Sequence, residues 1–133
     1  MIKIIAIAAV MVILLSACQA GAPAVTGPSR PARINHLAFF KLKDPGDAAE
    51  LIADCDAQLS KIPGVCSYYA GLHLDTGRGA RVDGDYDVGF YVGFTTEEQY
   101  GAYVAHPVHV AIVEKWRPRW EWIRVHDVID ESP

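Results

Sequence analysis

Residues Ile34–Leu42 read Ile-Asn-His-Leu-Ala-Phe-Phe-Lys-Leu, a β-prone run with apolar side chains at both parities. Side chains of a strand alternate between the two faces of a sheet. Ile34, Ala38 and Phe40 therefore need burial on one face while Leu37 and Phe39 need it on the other. A strand of this kind must be covered on both sides, and the rest of the chain has to supply that cover.

Asp44-Pro45-Gly46-Asp47 ends the run as a turn-and-cap cluster, with Asp47 the expected N-cap of a helix. Ala48, Ile52, Cys55, Leu59 and Ile62 then recur at helical spacing, opposite Glu50, Asp54 and Lys61. Pro63-Gly64 stops that helix. Residues 65–74 read as a second strand, and the polar, glycine-rich residues 75–84 form the loop to a third strand over 86–94. Its bulky residues Tyr86, Val88, Phe90, Val92 and Phe94 fall at period two. Thr95-Thr96-Glu97-Glu98 opens another helix with capping residues and first-turn acids. Pro107 and Pro118 punctuate the chain beyond that helix start, and Trp120–Ile129 reads as the last strand.

The order β-α-β-β-α-(α)-β predicts an α+β, ferredoxin-like fold: a four-stranded antiparallel sheet with helices on one face. Helices on one face leave the other bare. A second copy of the same sheet is the simplest cover, giving a homodimeric α/β barrel through sheet-to-sheet packing.

The chain starts with one positive charge, Lys3, and an apolar run over residues 4–15. A dozen residues fall short of the roughly 20 that span a hydrocarbon core, and the pattern is that of a secretory signal. It closes on Leu15-Ser16-Ala17-Cys18, which resembles the lipobox of bacterial lipoproteins. The expected organisation is a signal peptide over 1–17, a lipidated Cys18 opening a flexible tether over 18–32, and a folded domain over 33–133. The tether composition, small residues with three prolines and no aromatic over 19–31, cannot bury enough surface to order itself. Several acyl chains on Cys18, at about 0.8 kcal/mol per buried CH₂, hold a protein stably on a membrane. The expected location is the cell envelope. Gln19, which is not Asp, favours the periplasmic face of the outer membrane in a Gram-negative cell.

The formal charge of −4 gives no electrostatic footprint for nucleic acid, and none is expected as a partner. Trp116, Trp120 and Trp122, interleaved with Arg117, Arg119 and Arg124, are expected to pack the last strand and the dimer edge. Besides Cys18 the cysteines are Cys55 and Cys66. They read as two buried free thiols, with a disulfide the alternative if they face one another.

Four segments carry a family resemblance: residues 34–43 (INHLAFFKLK), Ile62-Pro63-Gly64-Val65, Asp85-Tyr86-Asp87-Val88-Gly89, and residues 103–109 (YVAHPVH). Their order and spacing resemble the stress-responsive dimeric A/B barrel (Dabb) domain across residues 33 to about 130. That family includes plant stress-related proteins, uncharacterised bacterial proteins and the polyketide cyclase olivetolic acid cyclase. The resemblance implies an acid–base role for Tyr103 and His109 and a pocket histidine at His36. The strand-three histidine of the cyclase falls where this chain has Asp87, which puts the cyclase reaction in doubt.

The residues can also be read without the family. Pro107 suits a first helical turn, and His109, Ile112, Val113 and Trp116 then share one core-facing side. His109 with Tyr103 could form a proton-transfer pair, with His36, Asp87 and Tyr91 completing a pocket for a small apolar ligand. The alternative is that His109 is a hydrogen-bonded core histidine locking the helix break, with Tyr103 as packing. His106 and His109 are spaced as metal ligands could be, but a residue before proline is extended. The two rings should diverge, and neither metal nor cofactor is expected. His73 and His126 read as surface residues.

Two functions stay open on the sequence alone. One is a membrane-anchored, small-molecule-binding or stress-related envelope protein. The other is a cofactor-free cyclase- or lyase-type enzyme using a His/Tyr acid–base pair. The anchor is tested directly: Cys18→Ser is expected to move the exported protein from the membrane fraction to the soluble one. Continued membrane retention would refute it.

Overall fold

The even-numbered residues of the first strand point under a layer of helices and the odd-numbered ones point away from it, as its two-faced pattern requires. The structure, a computed structural model, describes residues 29–132. The expected signal peptide, Cys18 and the tether before residue 29 lie outside the described residues. The elements are β1 (Ile34–Leu42), α1 (Ala48–Gln58), β2 (Val65–Leu72), β3 (Val88–Phe94), α2 (Glu97–Ala105), α3 (Pro107–Trp116) and β4 (Trp120–Ile129). The sheet is antiparallel with order β2-β3-β1-β4, the ferredoxin-like arrangement expected. Among the described residues no helix is long and apolar enough to cross a membrane.

The core joins Ile34, Ala38, Phe40 and Leu42 of β1 to Val88, Phe90, Val92 and Phe94 of β3, beneath Leu51, Cys55, Tyr103, Ile112 and Trp116 of the helices. Local chemistry fixes the helix ends. Thr96 and Gln99 form a reciprocal capping box at the start of α2. His106 caps α3 by accepting the Val108 N–H on its ring, with Pro107 at the first position. Trp116 is fully enclosed, donates to Asp54 at 2.8 Å and lies under the Arg119 guanidinium at 4.0 Å.

Several expectations change at residue level. Asp47 occupies the N-cap position of α1, but its side chain makes no cap bond and binds Arg119 instead. In the helical stripe it is Leu51, not Ile52, that is fully buried, because α1 presents Leu51 to the same internal space as Ile112 of α3. The second strand ends at Leu72 and the third begins at Val88, so Tyr86 leaves the ladder and packs on Phe39 and His73. His73 is not a plain surface residue: its Nδ1 is buried with no partner among the described residues. Both cysteines are free, but only Cys55 is buried and Cys66 is exposed.

The outer face of the sheet carries Leu37, Phe39, Tyr69 and Tyr91. Leu37 and Tyr69 both lie in register with Tyr91, and Tyr69 is 63% exposed. At the other end, Arg30 pairs with Asp130 at 2.6 Å and holds that carboxyl down to about 2. The last residues of the expected tether thus lie against the end of β4.

Candidate functional site

A cavity of about 340 Å³ lies between the helix-covered face of the sheet and helices α2 and α3. Ala38, Phe40 and Phe90 form its floor and Ile112 part of its roof, while Ile123 and Val125 of β4 form an open wall. Those two β4 residues face inward yet remain 38% and 46% exposed. The three helices do not reach across the β4 edge, and the cavity is the space left under that overhang. A register shift between Lys41 and Leu42 pairs Leu42 with Trp120 rather than Glu121. This bulge turns Trp120 onto the inner face, where it lines the cavity.

Four polar aromatic side chains gather at the other end of the cavity. His36, on the inner face of β1, is buried. Its Nδ1 lies 2.6 Å from Asp127 Oδ1, on the directly paired residue of β4. The Tyr100 hydroxyl donates to Asp127 Oδ2 at 3.0 Å and lies 3.4 Å from His36 Nδ1. A carboxylate is an acceptor only, so this contact puts a proton on His36 Nδ1 and leaves Nε2 available to a ligand. Burial, and then the bond to Asp127, push the Tyr100 phenol up to about 12, so it stays a donor.

His109 is fixed from the other side. Its Nδ1 donates to the Val104 carbonyl at 3.0 Å across the α2–α3 break, and here too Nε2 is the remaining nitrogen. Tyr103, 1% exposed, packs with its ring centroid 4.7 Å from that of His109 and 6.3 Å from that of His36. Burial raises the Tyr103 phenol well above its usual range. His109 does lock the helix break, as a structural role requires, and it also lines the cavity, as a functional role requires. His106 is turned away to cap α3.

Comparison with known proteins places this arrangement. The family model for the stress responsive A/B barrel domain matches residues 34–130. The chain belongs to the Dabb family. Among solved structures it resembles a Dabb family protein with a ferredoxin-like fold from Mesorhizobium loti, at 28% identity and a TM-score of 0.62, covering 74% of this chain and 97% of that one. A dimeric ferredoxin-like protein of unknown function from Thermobifida fusca matches at 25% identity and a TM-score of 0.61, covering 73% and 90%. The hydroxynitrile lyase of Passiflora edulis, at 19% identity, a TM-score of 0.64 and coverage of 78% and 99%, shares the fold. A search of curated proteins found no match.

Within this Dabb chain the expected pocket residues divide. His36, Tyr103 and His109 line the cavity; Asp87 and Tyr91 do not. Asp87 precedes β3 and closes the far end of the sheet, accepting from the Leu42 N–H at 2.8 Å and from Lys41 Nζ at 3.4 Å. Tyr91 lies on the outer face, where it donates to Asn35 and pairs with Ser67, beside a shallow depression rather than the internal cavity. Its odd parity, opposite to Phe90 and Val92, already pointed outward. Asp127 and Tyr100 are the residues that sequence reasoning missed. Tyr100 carried a signal, one helical turn before Tyr103 on the same face. Asp127 carried none, because its role depends on the pairing of two strands 91 residues apart.

Burial pulls His109 below its ordinary value of 6.5, outweighing the raising effect of the Val104 bond, with His36 and His106 lowering it further. The unfolded chain binds a proton at this ring near 6.5, so below that pH the unfolded state holds more protons and stability falls as pH falls. The urea midpoint is expected to drop more steeply below pH 6.5 in the wild-type domain than in His109→Gln. Equal slopes would contradict the burial of a neutral His109.

Proposed function

We propose that this Dabb domain binds a small, largely apolar molecule, a polar group of which meets His36 and His109. It does so at the cell envelope, as a homodimer held there by the lipid on Cys18. One observation carries the binding reading: an apolar cavity of about 340 Å³ with two histidines at one end whose Nδ1 atoms are committed to protein acceptors. Sites for small ligands combine apolar walls, a volume of roughly 300–1,000 Å³ and a few fixed polar groups. Dimerisation is supported by the apolar outer face of the sheet and by the Thermobifida protein described as dimeric. The envelope location rests on the lipobox alone.

A second reading, cofactor-free proton transfer, is favoured by the 2.6 Å contact between His36 and Asp127. A carboxylate on Nδ1 orients the imidazole, leaving Nε2 to take a proton from carbon beside a ligand carbonyl. Tyr103, held protonated by its burial, would hydrogen-bond the resulting enolate. No step needs a metal or cofactor.

Native mass spectrometry of the domain purified from cells is expected to show one small molecule bound per chain. Val125→Trp, which fills the open wall, should abolish the adduct while leaving the circular dichroism spectrum unchanged. No adduct and no thermal shift with any small apolar carbonyl compound would contradict binding. Asp127→Asn separates the two readings: binding persists under both, whereas turnover falls by about 10²–10⁴ only under the second. Leu37→Glu should convert a dimer into a monomer at micromolar concentration by burying a charge between the sheets. A wild-type domain already monomeric there would sink the dimer.

A further inference from the structure

The cavity has a second polar end. Residue Arg117, at the α3–β4 turn, lines it opposite the histidines. Two rulers give the separation. Four residues of β1 lead from His36 to Phe40, about 13 Å at roughly 3.3 Å each. Eight residues lead from His109 to Arg117, about 12 Å at 1.5 Å each. The two run side by side, because the Lys43 N–H donates to the Arg119 carbonyl and ties the end of β1 to the turn after α3.

Two side chains at this end, the exposed Arg117 and the half-buried Trp120, donate to no acceptor among the described residues. Lys115 and Arg119, on either side of Arg117, are bound to Asp47, Glu50 and Asp54. Arg117 itself has no carboxylate partner among the described residues. Lys43 is tied to the Pro118 carbonyl and adds a further positive charge to the same turn. Trp120, brought onto the inner face by the bulge, has its indole Nε1 buried with no partner among the described residues. A buried donor without an acceptor is costly, so the indole would gain by turning its Nε1 to a ligand oxygen in the cavity that Trp120 lines.

We propose that the ligand is an extended carboxylic acid with a second polar group, its chain running along the cavity from that group at the histidines to a carboxylate held at the Arg117 and Trp120 end. This assignment rests on the binding reading above and adds the class of ligand. A planar guanidinium takes a carboxylate through two parallel hydrogen bonds, and the distance to the histidines calls for an extended chain of medium length.

Titration of the domain with 10-hydroxydecanoate and with decane-1,10-diol, at pH 7.5 and below the aggregation threshold of either, tests the assignment. The core of the domain is closed within residues 34–116, and its counterpart makes up 97% of the Mesorhizobium chain, so residues 29–133 are a suitable unit. The hydroxy acid is expected to bind at least about tenfold more tightly than the diol. Arg117→Ala should remove that preference and leave the diol unaffected. Arg117→Lys should keep part of it, and Trp120→Phe should weaken the acid alone. Equal binding of acid and diol, or a preference that survives Arg117→Ala, would overturn the assignment while leaving the binding reading standing. If neither compound binds, the binding reading fails and the assignment fails with it.

Discussion

Strand β4 meets β1 in a register that sets His36 opposite Asp127, Ala38 opposite Val125 and Phe40 opposite Ile123, and the whole site depends on that alignment. Side chains alternate along a strand, so a slip of one residue would turn all three β4 residues to the outer face. His126 and Arg124 would come under the helices in their place. The cavity would then have a charged wall, and His36 would lose the carboxylate that fixes its ring. The register is held by the apolar pattern and by the bulge at Leu42. That bulge lets Trp120 join the inner face although Trp122, two residues on, faces outward opposite Lys41.

The cavity exists because three short helices cover a four-stranded sheet incompletely. Helices α1, α2 and α3 bury the inner faces of β1 and β3 almost fully, while Ile123 and Val125 stay half exposed at the β4 edge. The α2–α3 break at His106-Pro107 then angles α3 across the gap, and the bond from His109 to Val104 holds that angle. A continuous helix would have no such bend and no reason to leave a histidine facing the space below it. Fold and site therefore share their causes: the proline that ends one helix positions the side chain that defines the polar end of the cavity.

Period-two and helical repeats made the strands, the helices and their order readable from the sequence, and the two-faced β1 made its central place in the sheet readable too. Residue detail failed where it depended on how elements roll against each other. Leu51 and Ile52 are both compatible with the apolar stripe of α1, and only the position of α3 decides between them. Asp47 looked like a cap and is one by position, yet Arg119, far along the chain, captures its carboxylate. The same limit governed the site. His36, Tyr103 and His109 announce themselves through family motifs, whereas Asp127 and Arg117 acquire meaning only from β4 pairing and from the end of α3. Asp87 was placed in the pocket by resemblance, but its backbone position belongs to the closing end of the sheet.

Chemically, the site is two imidazoles whose Nδ1 atoms are held by protein acceptors, one a carboxylate and one a main-chain carbonyl, at the end of an apolar space. That arrangement is chemically suited to recognition of a hydrogen-bonding group and, with Asp127 behind His36, to proton transfer. The proposed placement at an envelope would remove it from cytosolic supplies of activated acyl substrates and would favour binding over turnover. The most direct measurement is the ¹⁵N spectrum of the histidine rings of the folded domain at pH 8. Both His36 and His109 are expected to carry a proton on Nδ1, as hydrogen bonds to Asp127 and Val104 require. A proton on Nε2 with a bare Nδ1 in either ring would contradict the geometry on which the site is built.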